Sequence, residues 1–155
     1  MKALLLLLLW LTAFLGPSAV GPVSGTSCPE GLTDWNVSTT AEALELSDAL
    51  QCSGPGQFEV HWSGEVLLTR TITISNESSV AVWGHGAGEA VIDGGGAVRL
   101  FEVDDGSTLQ LSSLSLVGGW ADEYGDGGAV MVTNSSQLRA SNCFFIGNNA
   151  TDHGG

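Results

Sequence analysis

Phe101-Glu102-Val103-Asp104-Asp105-Gly106-Ser107-Thr108-Leu109-Gln110-Leu111 decides the fold, because its pattern occurs three times at an offset of 29 residues. One copy upstream stand Ile72, Ile74, Asn76, Ser78 and Val80; one copy downstream stand Val130, Val132, Asn134, Ser136 and Leu138. Each unit has an alternating apolar strand, an Asn or Asp turn, a Ser and a second alternating strand. Alternation at period two marks a strand with one buried face, and Asn or Asp tolerates left-handed turn geometry. A single unit has too thin an apolar face to fold alone, so units at a fixed period must stack.

Further columns follow from the same offset. Val80/Val82, Leu109/Leu111 and Leu138/Ala140 form a second one, and Leu114/Leu116 with Cys143/Phe145 form a third. His85 and Ala87 break the third column, where Ala90-Val91-Ile92 supplies the strand instead. Insertions at corners are what a solenoid tolerates. A first, shorter turn is expected from Phe58/Val60, Val66/Leu68 and Ile72/Ile74. Three short parallel strands per turn predict an all-β chain, a right-handed parallel β-helix with rungs of about 29 residues. Upstream, Thr39-Thr40-Ala41-Glu42 reads as a capping box leading into Ala43, Leu46 and Leu50 at helical spacing. That predicts a short helix covering the open end of the first rung, ended by Gly54-Pro55-Gly56.

Three regions result: 1–25, 26–56 and 57–155. In the first, Lys2 precedes an apolar run from Ala3 to Leu15 and the small or turn-forming residues Gly16-Pro17-Ser18-Ala19, the pattern of a secretory signal peptide. The second is the N-terminal capping region and the third holds the rungs. No later stretch is long enough to span a bilayer as a helix, so no transmembrane helix is expected once the signal is removed. The formal charge is −13, and with Lys2 gone only Arg70, Arg99 and Arg139 oppose 17 acidic residues. So acidic a surface argues against nucleic acid and anionic membranes as partners. In an exported chain Cys28 and Cys52 bracket the capping region and form the expected disulfide. Cys143, beside Phe144 and Phe145, is expected as a buried free thiol.

Gly127-Gly128-Ala129-Val130 followed by Phe145-Ile146-Gly147-Asn148 resembles the Gly-Gly-Ala-aliphatic and Phe-x-x-Asn pair of the polymorphic outer-membrane protein repeat, a β-helical module. Val91-Ile92-Asp93-Gly94 and the strand columns are similar to the pectin-lyase-like superfamily of right-handed parallel β-helices. The resemblance covers about Phe58 to Gly155 and implies the fold more strongly than an activity, since one fold hosts lyases, hydrolases, epimerases and adhesins. Only one complete motif pair occurs, and His153-Gly154-Gly155 stops where another Gly-Gly-Ala would begin, so truncation at the C-terminus, with further rungs and a cap beyond, is the expectation. The chain carries no outer-membrane barrel segment, so surface anchoring does not carry over.

Polysaccharide-cleaving β-helices use carboxylates for acid/base work or calcium, with cationic residues nearby. Candidate carboxylates are Asp93, Asp104, Asp105, Asp122, Glu123 and Asp126, with His85, Arg70, Arg99 and Arg139 as partners; nothing in the spacing gathers them, and no catalytic residue is assigned. Asp93, in Ile-Asp-Gly-Gly-Gly, reads as a turn carboxylate accepting backbone hydrogens. The acidic loop 122–126 offers Asp122, Glu123 and Asp126 as weak calcium ligands, without the spacing of a dedicated calcium loop; no other cofactor is expected. Asn36, Asn76, Asn134 and Asn149 head glycosylation sequons. Trp62, Trp83 and Trp120 are candidates for stacking on sugar rings, against the plainer reading as packing residues. A clear repeat without a convergent catalytic set predicts a secreted or cell-surface β-helix protein with a structural, adhesive or glycan-binding role. Extracellular glycans or cell-wall polymers are its expected partners. The alternative is a carbohydrate-active enzyme of the pectin-lyase-like kind, and the alternative location is the outer membrane.

Overall fold

The computed structural model describes residues 33–86, 90–121 and 125–154. The signal segment and Cys28 lie outside the described residues. The chain runs β1 (Asp34–Val37), α1 (Thr40–Cys52), β2 (Gln57–Ser63), β3 (Glu65–Leu67), β4 (Ile72–Ile74), β5 (Ser79–His85), β6 (Val91–Asp93) and β7 (Phe101–Val103). It continues with β8 (Thr108–Ser112), β9 (Ser115–Val117), β10 (Trp120–Ala121), β11 (Val130–Val132), β12 (Gln137–Ser141), β13 (Phe144–Ile146) and β14 (Asn149–Ala150).

Successive coils place these strands in parallel sheets. The longest is ordered β1-β2-β5-β8-β12, a second β3-β6-β9-β13, a third β4-β7-β11, and β10 pairs with β14. The molecule is a right-handed parallel β-helix with an N-terminal capping helix. The predicted columns are in register: Ile72, Phe101 and Val130 are successive partners, as are Val80, Leu109 and Leu138, and Ile92, Leu116 and Phe145. Their side chains point inward, so the middle rungs are dry: Ile74, Ile92, Val103, Leu109 and Leu116 have no exposed surface. Two elements go beyond the sequence reading. The capping region contributes the strand β1, which extends the longest sheet, and β10 with β14 adds a fourth short sheet to the expected three.

The corners explain the polar residues of the repeat. Asn76-Glu77, Asp105-Gly106 and Asn134-Ser135 each place two consecutive residues in the left-handed region. For Glu77 and Ser135 that conformation costs on the order of 1–3 kcal/mol. Bonds between rungs offset it, since Glu77 N–H donates to the Asp105 carbonyl and Gly106 N–H to the Asn134 carbonyl, both at 3.0 Å. Inside the corner the serines form a ladder. Ser107 Oγ accepts from Ser78 N–H at 3.1 Å, and Ser136 Oγ accepts from Ser107 N–H at 3.2 Å. Each hydroxyl satisfies a backbone donor one rung earlier that would otherwise be buried without a partner. On the outer side Asp104 accepts from the Asp105 backbone and from Thr133 Oγ1 at 2.9 Å, which holds its carboxyl below the usual aspartate value.

Size complementarity fixes another corner. Trp62 is fully buried and registers with Gly84, where a Cβ would meet the Ser113 carbonyl oxygen at 1.9 Å. The glycine makes room for the Ser113 turn, and the indole N–H of Trp62 donates to the Val91 carbonyl at 3.2 Å. The motif asparagine works similarly: Asn148 accepts from Gly119 N–H at 2.8 Å and donates to the Leu116 carbonyl at 3.0 Å, tying one coil to the previous one.

The two ends differ. At the first rung β1 covers the edge of β2, while α1 buries Ala43, Leu46, Ala49 and Leu50 over the coil. Thr40 Oγ1 donates to the Leu67 carbonyl at 2.8 Å, and Arg70 clamps the helix through the Leu44 carbonyl and the Asp48 carboxylate. The capping box forms as read: Thr39 Oγ1 accepts from Glu42 N–H, and the Glu42 carboxylate accepts from Ser38 N–H and Thr39 N–H. These donors, Ser38 foremost, hold the Glu42 carboxyl below its usual value. At the other end Val132, Phe144, Phe145 and Ile146 are exposed, so the expected burial of Val130/Val132 and Phe145 is only partly realised.

Two stability measurements test this account. Leu109→Ala, in the dry middle rung, should cost about 2–5 kcal/mol in denaturant unfolding, and Leu138→Ala in the half-buried last rung clearly less. Equal costs would contradict the stacking order. Because the folded Glu42 pKa is depressed, its contribution is present above the unfolded value and is lost as pH falls through the folded one. The melting temperature of wild type should therefore exceed that of Glu42→Gln near neutrality, with the gap closing as pH falls below the ordinary carboxylate value and through the depressed folded one. A gap independent of pH would contradict the ionic capping box.

Candidate ligand-binding face

The outer face of the longest sheet gathers more chemistry than any one corner. Outward positions alternate with the buried column, so β2 presents Glu59 and His61, β5 presents Ala81, Trp83 and His85, β8 presents Gln110 and Ser112, and β12 presents Arg139 and Ser141. Parallel register aligns them into two rows. One runs Asn36, His61, Trp83, Ser112, Ser141, and the other Asp34, Glu59, Ala81, Gln110, Arg139. A shallow hollow is lined by Trp83, Gln110, Ser112, Arg139 and Ser141. The Trp83 side of it is an aromatic surface 42 % exposed; the other side carries amide, hydroxyl and guanidinium donors. Ser141 Oγ donates to Ser112 Oγ at 3.3 Å, so the hydroxyl row is itself linked from rung to rung.

The three arginines differ in what holds them. Arg70 is committed to α1. Arg99 donates to the Asp126 and Gly127 carbonyls at 2.8 and 3.0 Å and faces Glu102 at 3.6 Å. Arg139, among the described residues, has a long contact of 3.5 Å to Gln137 Oε1 and lines the hollow.

The structure separates the candidate carboxylates. Asp93 Oδ1 accepts from Gly95 N–H at 2.8 Å, the turn role read from its sequence context. Asp104 and Asp105 sit at the stacked corner, away from His85 on the longest sheet. Asp122 and Glu123 lie outside the described residues. At Asp126, Arg99 already occupies the carbonyl and His153 Nδ1 lies 3.0 Å from the carboxylate, so an arginine and a histidine serve the described end of that loop. Among the described residues no group of three or more His, Cys, Asp or Glu is arranged to hold a metal ion.

Of the three tryptophans considered for stacking, Trp62 is withdrawn because its ring is in the core, and Trp120 is half-buried in β10; Trp83 remains. Cys143 is a free thiol, half-buried where full burial was expected, and its Sγ donates to the Ser141 carbonyl at 3.2 Å. Asn36, Asn76, Asn134 and Asn149 are all exposed. His61 escaped the sequence reading, yet its Nδ1 lies 2.8 Å from His85 Nε2. The two are 24 residues apart, off the 29-residue period of the repeat.

No protein-family model, no curated protein and no solved structure matches the chain. What is defined is therefore an architecture, a parallel β-helix with a polar and aromatic face on its longest sheet. No helix among the described residues is long and apolar enough to cross a membrane.

Proposed function

We propose that this chain is an exported β-helix repeat protein of the pectin-lyase-like kind that binds glycans non-catalytically on the outer face of its longest sheet. The carrying observation is Trp83, a large exposed indole on a rigid strand, beside Gln110, Ser112, Arg139 and Ser141 on the next two rungs. An aromatic ring offers its face to the apolar side of a pyranose, and neighbouring donors and acceptors read its hydroxyls. Rungs repeat every ~4.8 Å, so a linear polymer meets similar groups at regular intervals. Rigid strands also keep these side chains preorganised, which lowers the entropic cost of binding.

Export rests on the signal-like segment 1–25, and two further assignments follow from it. Cys28 and Cys52 form a disulfide anchoring the start of the mature chain to the C-terminal end of α1. Asn36, Asn76, Asn134 and Asn149 carry N-linked glycans if the chain passes through a glycosylating secretory route; their exposure supports this. The acidic surface and the dispersal of Asp93, Asp104 and Asp126 favour a binding role over polysaccharide cleavage.

The test is an oligosaccharide array followed by calorimetry on the best ligand. Wild type should bind at least one linear cell-wall oligosaccharide without turning it over, and Trp83→Ala should weaken binding at least about tenfold, or 1.4 kcal/mol. Trp120→Ala should leave affinity unchanged. Unchanged affinity in Trp83→Ala, or turnover by the wild type, would overturn the proposal.

A further inference from the structure

We propose that His61 and His85 form a surface site for a divalent first-row transition cation, with Asp34 as the carboxylate that orients His61. This is independent of glycan binding. The observation is geometric: His61 Nδ1 and His85 Nε2 are 2.8 Å apart, while the ring centroids are 4.9 Å apart and the planes tilted by 42°. The rings therefore meet through these two nitrogens, edge to edge, and do not stack.

The sheet dictates the meeting. His61 registers with Trp83 and His85 with Ser63, so the histidines are diagonal neighbours on adjacent parallel strands, both at outward positions. On the far side of the His61 ring, Nε2 lies 3.5 Å from Asp34 Oδ1. In the proposed site the His61 proton sits on Nε2, towards Asp34, which leaves the Nδ1 lone pair for the cation. A carboxylate behind a ligating histidine is the usual device for fixing its tautomer and raising its basicity. Glu59, in register with Asp34 on the same face, adds negative potential, and no arginine lies on β1, β2 or β5 to oppose a cation.

A hydrogen bond between two exposed imidazoles gains little over bonds to water. Two converging imidazole nitrogens are, in contrast, a chelate. Metal–nitrogen distances of about 2.0–2.1 Å at a tetrahedral angle require the nitrogens to open to roughly 3.3 Å, a small rotation of two exposed rings. Imidazole selects Cu(II), Ni(II) and Zn(II) over the oxygen-seeking Ca(II) and Mg(II), with Cu(II) tightest. Two protein ligands leave the other positions to water or to oxygens of an incoming molecule, so the expected affinity is micromolar.

The test is titration of the untagged, mature chain with CuCl2, ZnCl2 and CaCl2 by calorimetry, without glycan. One equivalent of Cu(II) should bind, Zn(II) more weakly and Ca(II) not at this site. His61→Gln and His85→Gln should each lower Cu(II) affinity at least tenfold, and Asp34→Asn about tenfold. His153→Gln should leave it unchanged. Copper electron paramagnetic resonance should show two coupled imidazole nitrogens in wild type and one fewer in His85→Gln. All four substitutions are at exposed or half-exposed positions, and circular dichroism checks that each variant keeps the β-helix. No saturable Cu(II) binding by wild type, or undiminished binding in the His61→Gln/His85→Gln double variant, would overturn the proposal.

Discussion

The backbone hydrogen bonding between successive coils, in parallel and in register, is the constraint on which everything else depends. Each such bond contributes only about 0.5–1.5 kcal/mol net, but a slip of one residue would turn a whole buried column to the solvent. Register is held at the corners as well as along the strands. The Ser78, Ser107 and Ser136 ladder, the Asn148 clasp and the stacked left-handed pairs each join one coil to the next with a bond that exists only at the correct offset. Left-handed corners at Glu77 and Ser135 are unfavourable alone and become acceptable because the neighbouring coil bonds to them.

That constraint also creates the functional surface. In-register stacking converts single outward residues into rows, so Trp83, Ser112 and Ser141 form one line and Gln110 and Arg139 another without any loop to position them. The same geometry brings His61 and His85 together at the end of the sheet nearer α1. One face thus carries a polar and aromatic hollow beside a pair of imidazoles, flanked by Asp34 and Glu59. A ligand reaching across from Arg139 to His61 would meet a graded surface, cationic at one side and acidic at the other.

Much of this was legible in the sequence because the period is exact in the columns that start at β4 and β5. Offsets of 29 aligned Ile72 with Phe101 and Val80 with Leu109, and the Thr39/Glu42 box announced the cap. What escaped was whatever departs from the period. Strand β1, four residues whose partner β2 lies at an offset of 25 and not 29, is not marked by the repeat. His61 and His85 lie 24 residues apart, because the coil joining β2 to β5 is shorter than those after it, so no fixed offset pairs them. Trp62 looked like a sugar-stacking candidate because its strand β2 pairs with β5 at an offset of 22, outside the main period, so its inward position shows only in the alternating burial of β2. The serines were visible as repeat residues, but their role in binding the previous rung's backbone appears only in three dimensions.

Cross-linking measures the register itself. In a Cys143→Ser background, Ala81→Cys and Gln110→Cys place two thiols on register partners one rung apart, within the Cα separation of about 4.4–6.8 Å that a disulfide spans. Moving the second thiol to Ser112 shifts it two residues along the strand and, at ~3.3 Å rise per residue, beyond that reach. The account predicts rapid, nearly complete intramolecular oxidation of the Ala81→Cys/Gln110→Cys chain with its circular dichroism unchanged, and little for Ala81→Cys/Ser112→Cys. Equal oxidation of both pairs, or preference for the second, would contradict the stacked parallel register.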